Sequence, residues 1–264
     1  MLVSVSSRYT NLLDYDRQAL RQHFSSIGEA PFRADQLIKW VHQKGVTNFA
    51  EMTNLSKDLR STLKDTYRIK LPSIEQVQES RDGTKKWLIR VDERNCVETV
   101  FIPEKDRGTL CVSSQAGCAL NCSFCSTAQQ GFGTNLSLSQ IIGQVWLAAR
   151  ELGQSQSTSK AITNIVMMGM GEPLLNTESV FPALRLMLDD DTYNLARKKV
   201  TLSTAGIVPG IDKLAIECPV SLAVSLHSAD DQIRDEIVPI NKKYPLSSLL
   251  ESCRRYIISN PHDK

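Results

Sequence analysis

The spacing of hydrophobic and polar positions changes along the 264-residue chain, and the first region has helical spacing. Up to residue 72, apolar residues recur at every third or fourth position, which is typical of amphipathic helices. One of Asn11, Asp14 and Asp16 is expected to cap the first helix, and Ser56 to cap the third. The pattern therefore predicts an N-terminal helical domain over residues 1–72.

The second region, residues 73–106, alternates apolar and polar residues with a period of two. This period indicates strands with one buried face. Turn signals at Asp82-Gly83 and Arg94-Asn95 separate the apolar runs. We expect a small antiparallel sheet that links the helical domain to the rest of the chain.

The third region, residues 107–264, repeats the order strand, loop, helix. A capping box at Ser137 and Gln140 marks the start of one helix. Short β-branched runs suit parallel strands that are buried on both faces. These runs cover residues 162–168, 199–203 and 220–226, and amphipathic helices are expected at 180–188 and 247–258. The predicted fold class is α/β, a partial parallel (β/α) barrel joined to the helical domain by the antiparallel linker.

Composition and cysteine content narrow the class of protein. The chain is 41% hydrophobic and 23% charged, which is ordinary for a globular protein, and it has no run of apolar residues long enough to span a membrane. The N-terminus lacks the basic and then apolar pattern of a secretory signal. Seven cysteines, an odd number, suit a reducing cytoplasm better than a disulfide framework.

Charge is concentrated in the N-terminal region although the net charge of the whole chain is only +2. The first seventy residues contain eleven lysines and arginines against seven acidic residues. A basic face could hold RNA phosphates through salt-sensitive contacts, or it could be a solvated helix surface. The residues concerned are Lys57, Arg60, Lys64, Arg68 and Lys70, with Arg33, Lys39 and Lys44 as a second group.

The strongest chemical signal is the spacing C-x3-C-x2-C of Cys118, Cys122 and Cys125. Three thiolates hold three corners of a 4Fe–4S cluster and leave one iron without a protein ligand. Structural zinc is disfavoured because its closed tetrahedral site needs four ligands, and no fourth cysteine or histidine lies nearby. The remaining alternative is three unrelated thiols, which this spacing does not favour.

These cysteines stand in the first of five runs that together resemble one known family. The runs are CVSSQAGCALNCSFCSTAQQGF (Cys111–Phe132), MMGMGEPLLN (Met167–Asn176), VTLSTAG (Val200–Gly206), SLH (Ser225–His227) and RDEIVPINKKY (Arg234–Tyr244). In this order they look like the bacterial dual-specificity RNA adenine C2 methyltransferases of the RlmN type, in the radical S-adenosylmethionine (SAM) superfamily. The resemblance extends along nearly the whole chain.

The resemblance implies two cofactors, a 4Fe–4S cluster and SAM, and it assigns residues to each. The cluster would be held by Cys118, Cys122 and Cys125, and its open iron would chelate SAM. The matching SAM contacts are Gly171, Glu172, Ser203, Ser225, Leu226 and His227. Each of these motifs follows a predicted strand, where barrel enzymes carry their chemistry. Taken alone, the glycine-rich turn is an ordinary β/α loop and His227 a packed core histidine.

Two catalytic residues are also implied by the resemblance. Glu98 matches the proton acceptor of the family, and Cys111 matches the cysteine that attacks an RNA–enzyme adduct and releases the product. Without the resemblance, Glu98 reads as a surface carboxylate on a strand. The remaining cysteines are interpreted as structural thiols; they are Cys96, Cys218 and Cys253.

The implied substrates are an adenosine of 23S rRNA in the peptidyl transferase centre and an adenosine beside the tRNA anticodon. The implied electron donor is a flavodoxin system, and the location is cytoplasmic. Family members continue beyond the position of Lys264 and carry a methyl-bearing cysteine there. We therefore expect that the chain is C-terminally truncated, exposes an open barrel edge after residues 220–226 and makes no methylated adenosine by itself.

Two alternatives remain open from the sequence. The first is the related methyltransferase that modifies C8 of the same adenosine and confers antibiotic resistance, although the AQQGF run after the cysteines fits the C2 branch better. The second, from a different class, is a non-catalytic iron–sulfur protein that binds RNA.

Overall fold

Helices near the N-terminus are followed by consecutive strands and then by alternating helices and strands in the computed structural model, which describes residues 9–153 and 161–261. The strands are β1 (Thr10–Asn11), β2 (Tyr67–Arg68), β3 (Ser73–Glu79), β4 (Lys85–Arg90), β5 (Cys96–Glu104), β6 (Arg107–Cys111), β7 (Gln115–Gly117), β8 (Phe132–Asn135), β9 (Asn164–Met167), β10 (Val200–Thr204) and β11 (Ser221–Val224). The α-helices are α1 (Arg17–Ser26), α2 (Phe32–Ile38), α3 (Lys57–Thr66), α4 (Ser126–Gln129), α5 (Leu138–Glu151), α6 (Thr177–Leu188), α7 (Val208–Glu217), α8 (Asp231–Ile237) and α9 (Leu246–Ser259).

The described strands include a seven-stranded sheet with the order β11-β10-β9-β6-β5-β4-β3. Strands β6, β9, β10 and β11 are parallel, and α5, α6 and α7 lie in the connections between them. This repeated strand–helix order is that of a partial (β/α) barrel, so the predicted fold class is confirmed.

The predicted antiparallel linker belongs to this same sheet. Strands β3, β4 and β5 pair antiparallel in sequence order, and β5 then pairs antiparallel with β6. The linker therefore continues the parallel strands instead of forming a second sheet beside them. The domain boundaries at 72 and 106 stay a prediction, because the hydrophobic core runs without interruption from Leu12 to Tyr256.

One face of the sheet is covered by helices. Thr99 on β5 is buried and donates to Gln144 of α5 at 2.8 Å, and its neighbours Val97 and Phe101 on the same face are buried as well. Because side chains alternate along a strand, Glu98 and Val100 lie on the opposite face. That opposite face is the one available for chemistry.

The N-terminal helices pack against the helix layer, not against this opposite face. Trp146 of α5 donates its indole N–H to the Val41 carbonyl at 2.9 Å, and Arg185 of α6 pairs with Asp16 at 2.7 Å. The backbone N–H of Ser139 at the start of α5 is also bonded to the N-terminal region. These contacts join the N-terminal helices firmly to the barrel.

Helix starts follow the capping residues that the sequence predicted. Asp16 accepts from the Ala19 N–H to begin α1, and Ser56 accepts from the Leu59 N–H to begin α3. Both bonds of the capping box at Ser137 are present. Asn11 caps a short 3-10 turn instead of α1. An oxygen at each of these positions satisfies a backbone N–H that has no partner within the helix.

Several short elements were not predicted from the sequence. The β7–β8 hairpin is one, because its strands are three and four residues long and rich in glycine and polar residues. Helices α4, α7 and α8 were also not predicted. The second helix continues past Ile38 as a π-helical turn over Lys39–Gln43. Strand β11 forms the outer edge of the sheet, and its residues are half-buried.

A search of the described helices for one that is both long and apolar enough to cross a membrane finds none.

A half-buried histidine, His42, lies where the N-terminal helices meet the barrel. The His42 ring lies 3.3 Å from the Tyr193 hydroxyl, and the two ring centroids are 5.5 Å apart. Burial lowers the pKa of His42 from 6.5 to about 4, because the charged imidazolium loses its hydration there. The folded protein therefore holds this histidine neutral.

This burial predicts a pH dependence of stability. Between pH 6.5 and about 4 the unfolded chain binds a proton at His42 that the folded protein does not, so the free energy of unfolding falls as the pH is lowered. In the variant His42→Gln this contribution, about 2 kcal/mol between pH 7 and pH 5, should be absent. Urea unfolding of both proteins at the two pH values measures it. An equal loss of stability in the variant would contradict the assignment.

Candidate functional site

The three cysteines of the C-x3-C-x2-C motif lie on a loop that β7 and β8 close at its base. The backbone N–H of Cys118 donates to the Gly131 carbonyl at 3.0 Å. Gly117 has a φ of 74°, and a Cβ there would overlap the Gly131 oxygen, so glycine is required for this closure. Cys122 is buried against Ala205 in the loop after β10. The hairpin and this contact hold the cysteine loop at the carboxyl edge of the parallel strands.

The thiols of this loop influence one another. The pKa of Cys122 is raised to about 11, chiefly by burial and in addition by the negative charges of Cys118 and Cys125. Burial also raises the pKa of Cys118, and the Cys125 charge adds to this effect. In the absence of metal, Cys118 and Cys122 are therefore thiols at neutral pH, and metal binding must displace their protons.

The donor set fits an iron–sulfur cluster. Three soft sulfur ligands lie on one loop, and the positive charge of iron would remove their mutual repulsion. Among the described residues, no three metal-ligating side chains are already gathered as a formed metal site.

The loop after β9 carries a buried carboxylate. Glu172 is 3% exposed; its Oε1 accepts from the Leu174 N–H at 3.1 Å and its Oε2 from the Ala205 N–H at 2.8 Å. Burial raises the pKa of Glu172, while these two N–H groups lower it because they stabilise the ionised form. Gly171 has a φ of 97°, and a Cβ there would lie 2.5 Å from the Cβ of Gln115. Glycine is thus required where this loop passes over β7.

The other two predicted SAM loops follow β10 and β11. Ser203 on β10 and Ser225 after β11 are half-buried, whereas Leu226 and His227 are exposed. His227 has a φ of 60°, which is uncommon for a residue other than glycine. This backbone conformation brings its ring to a centroid distance of 4.1 Å from Phe124 in the cysteine loop.

The two predicted catalytic residues share the open face of the sheet. Cys111 pairs with Val100 on one side and with Val166 on the other. Glu98 lies two residues from Val100, so it has the same orientation as Cys111. Its carboxylate pairs with Lys86 of β4 at 2.9 Å. Burial raises the pKa of Cys111 to about 11, although a hydrogen bond from the Met168 backbone opposes this rise.

The residues that connect these loops were not predicted from the sequence. Arg234 of α8 is fully buried and donates to the Leu226 carbonyl at 3.1 Å and to Oδ1 of Asn241 at 2.6 Å. Gln115 accepts from the Glu172 N–H at 2.8 Å. The run Arg234–Tyr244 carries part of the family resemblance, but the resemblance implies no role for its residues. Arginine is mostly a surface residue, so nothing in the local pattern indicated burial.

The structure thus brings the four predicted cofactor loops together at one edge of the sheet. Glu172 contacts the loop after β10, Cys122 packs on the same loop, and His227 contacts the cysteine loop. Glu98 and Cys111 lie on the adjoining strands of the same open face. The individual roles of these residues stay predictions.

Comparisons with known proteins agree with this arrangement. Residues 10–69 match the ribosomal RNA large subunit methyltransferase N-terminal domain, and residues 112–258 match the Radical SAM superfamily. The crystal structure of a radical SAM methyltransferase from Sphaerobacter thermophilus is 36% identical in sequence and has a TM-score of 0.85. That match covers 96% of this chain and 74% of the other chain.

The two family matches cover the N-terminal helices and the partial barrel, and the match to the solved structure includes the linker strands between them. The predicted enzyme class is confirmed by these matches. The chain therefore belongs to the radical SAM superfamily and is a radical SAM methyltransferase of the RlmN type.

Proposed function

We propose that this enzyme methylates C2 of an adenosine in the peptidyl transferase centre of 23S rRNA, and of an adenosine beside the tRNA anticodon. The observation that carries the proposal is the common face of Glu98 and Cys111, next to the edge where the cofactor loops meet. A proton acceptor and a thiol beside a SAM site suit a reaction that removes a proton from an adenine carbon and then releases the product.

The cofactor assignment follows from the donor groups. Cys118, Cys122 and Cys125 would hold a 4Fe–4S cluster, which supplies an electron and an open iron for binding SAM. Ser203, Ser225, Leu226 and His227 would contact the ribose and adenine of SAM. The Glu172 carboxylate already accepts two backbone N–H groups. The backbone of Gly171 and Glu172 is therefore the part of this loop that we assign to the amino group of SAM.

Glu98 and Cys111 have separate roles in this proposal. Glu98 accepts the proton from the adenine carbon, and its pairing with Lys86 holds the carboxylate on the open face. Cys111 acts as the nucleophile that releases the product. Because burial raises the pKa of Cys111 to about 11, the thiol must lose its proton to a base before it attacks.

RNA binding is assigned to the N-terminal helices. Lys57 and Lys64 on α3 are exposed, which suits contact with phosphates. Arg60 is half-buried and donates one N–H to the Ala50 carbonyl at 2.6 Å, while its positive charge is retained. Arg60 stays in the predicted RNA-binding set, but it is left out of the test variant because its replacement would also remove this hydrogen bond.

Two further cations lie against aromatic rings on the second helix and its π-helical continuation. The Lys44 ammonium lies 3.7 Å from the centre of the Trp40 ring, and the Arg33 guanidinium 4.7 Å from that of Phe32. Rings beside cations suit the bases and phosphates of unpaired RNA.

We assign a flavodoxin system as the electron donor. We assign the cytoplasm as the location, in keeping with seven cysteines and no disulfide among those described.

The reaction is tested by nucleoside mass spectrometry. We expect 2-methyladenosine in rRNA and tRNA of a bacterial strain that lacks its own C2 methyltransferase, provided that the expressed gene also encodes the methyl-bearing cysteine expected beyond Lys264. The variant Cys111→Ala should release no methylated product, whereas Cys253→Ala, which changes a thiol on α9 outside the site, should keep the activity. Finding 8-methyladenosine would assign the protein to the C8 branch. Bound RNA without any methylation would indicate a non-catalytic iron–sulfur protein.

The cluster is tested by iron and sulfide analysis after anaerobic reconstitution. The triple variant with Cys118, Cys122 and Cys125 changed to Ser should lose nearly all bound iron and the brown absorbance, because a hydroxyl is a poor ligand for cluster iron. Cys253→Ser is the matched control and should bind iron like the wild type. Wild-type iron content in the triple variant would contradict the cluster assignment.

The RNA surface is tested by titrations at several salt concentrations. Changing Lys57 and Lys64 together to Gln should weaken RNA binding and lower the log–log salt slope by roughly 1.5 to 2, since two phosphate contacts are removed. The control removes the same charge at Lys105 and Lys198, both exposed at the opposite edge of the sheet from the cofactor loops. An equal slope in both variants would show that α3 is an ordinary solvated helix.

A further inference from the structure

A single residue, Ala205, is bound on both sides by buried charged groups. Its backbone N–H donates to Oε2 of Glu172 at 2.8 Å, and its carbonyl accepts from Nη2 of Arg234 at 2.6 Å. Glu172 is 3% exposed and Arg234 is 0% exposed. We call these three residues the Ala205 clamp.

The clamp provides hydrogen bonds to both buried charged groups. A buried carboxylate or guanidinium is costly unless its hydrogen bonds are satisfied. Here the carboxylate faces an N–H group and the guanidinium faces a C=O group, so each charge meets the favourable end of a backbone dipole. Each charge strengthens the hydrogen bond that it makes, because bonds with one ionised partner are stronger than neutral ones. The two opposite charges therefore hold the same residue of backbone from its two sides.

Each charged group is also anchored to a different loop. Glu172 belongs to the loop after β9 and accepts from the Leu174 N–H at 3.1 Å. Arg234 reaches the loop after β11, where it donates to the Leu226 carbonyl at 3.1 Å. Since Ala205 follows β10, the clamp joins the loops of three consecutive parallel strands.

Arg234 is itself held in position by Asn241. The guanidinium donates to Oδ1 of Asn241 at 2.6 Å. The Asn241 amide donates in turn to Oδ1 of Asp231 at 2.8 Å and of Asp235 at 2.7 Å. These two carboxylates lie on α8, the helix that carries Arg234. The arginine is thus fixed from behind, with its remaining donors directed at the loops.

The cysteine loop contacts the same structure. The Ser123 N–H donates to the Ile237 carbonyl at the end of α8 at 3.2 Å. Cys122 is buried against Ala205 and Val238. A shift of Ala205 or α8 would therefore be transmitted to the cysteine loop as well as to the three strand loops.

We propose that Glu172 and Arg234 are positioning residues that act as one unit, fixing Ala205 so that the loops after β9, β10 and β11 bind SAM beside the cysteine loop. This inference rests on the proposed SAM site. It assigns Glu172 a role through Ala205 rather than through direct contact of its carboxylate with SAM. Arg234, from the run Arg234–Tyr244, gains a role in the same unit.

The test is a double-mutant cycle on SAM affinity. The variants are Glu172→Gln, Arg234→Met and the double variant, and Arg255→Met is the control because Arg255 pairs with Asp212 on the surface. Equilibrium dialysis with reconstituted, unreduced protein measures the dissociation constant of SAM without turnover, and iron content is checked in each sample. Each single variant should raise this constant about tenfold, as expected for loss of a hydrogen bond to a charged group.

The double variant decides between one unit and two separate effects. If the clamp acts as a unit, the double variant should bind SAM about as weakly as either single variant. Independent contacts would multiply to about a hundredfold loss, and that result would overturn the proposal. The control should leave the dissociation constant unchanged.

Amide hydrogen exchange gives a readout that does not depend on SAM. In SAM-free protein, the peptide covering Ser203–Ile207 should exchange about tenfold faster in Glu172→Gln, since the charged acceptor of the Ala205 N–H is lost. Unchanged exchange would show that the clamp does not hold this loop. Glu172→Gln changes the size and shape of the side chain very little. The exchange measurement on this variant therefore still tests the clamp if Arg234→Met fails to fold. If the wild type bound no SAM, the proposed function would fail, and exchange alone would decide whether the clamp exists.

Discussion

Strand β6 has an antiparallel neighbour, β5, on one side and a parallel neighbour, β9, on the other, and the candidate site depends on this pairing. The register aligns Cys111 with Val100 and Val166. Because side chains alternate, it also sets Glu98 on the face of Cys111 and Thr99 on the helix-covered face. A slip of one residue would exchange the two faces and bury Glu98 against α5. The register therefore places the two predicted catalytic residues, Glu98 and Cys111, on the same face of the sheet.

Irregular backbone at the carboxyl edge of the parallel strands is stabilised by buried side-chain amides. Gln144 of α5 accepts from the Ser113 N–H at 2.8 Å and donates to the Ser113 carbonyl at 2.9 Å. Asn176 donates to the carbonyls of Ser114 and Leu136 at 2.9 and 2.8 Å. A buried backbone group without a partner is costly, and these loops lack the regular partners of a sheet. The amides replace those partners, which allows the chain to leave β6 and turn into the cysteine hairpin.

Much of the fold could be predicted from local pattern alone. The helix starts at Asp16, Ser56 and Ser137 were predicted because capping is a contact between residues two or three positions apart. The strands were predicted because alternation and β-branched runs are local properties. The cysteine spacing indicated an iron–sulfur loop for a similar reason, since all three ligands lie within eight residues of one another. The five family runs extended the prediction from an iron–sulfur loop to the enzyme class.

By itself, the sequence determined the periodicity of the elements, their caps, the candidate cluster ligands and the family. Only the tertiary structure decided that β3–β5 continue the parallel sheet, that Arg60 bonds within the protein, and that Arg234 is buried against Ala205. Each of these features depends on residues far apart in the chain. The identity of a residue as arginine does not reveal whether its side chain is solvated or buried. Hydrogen-bond partners across loops are set when the strands align, so no local pattern contains them.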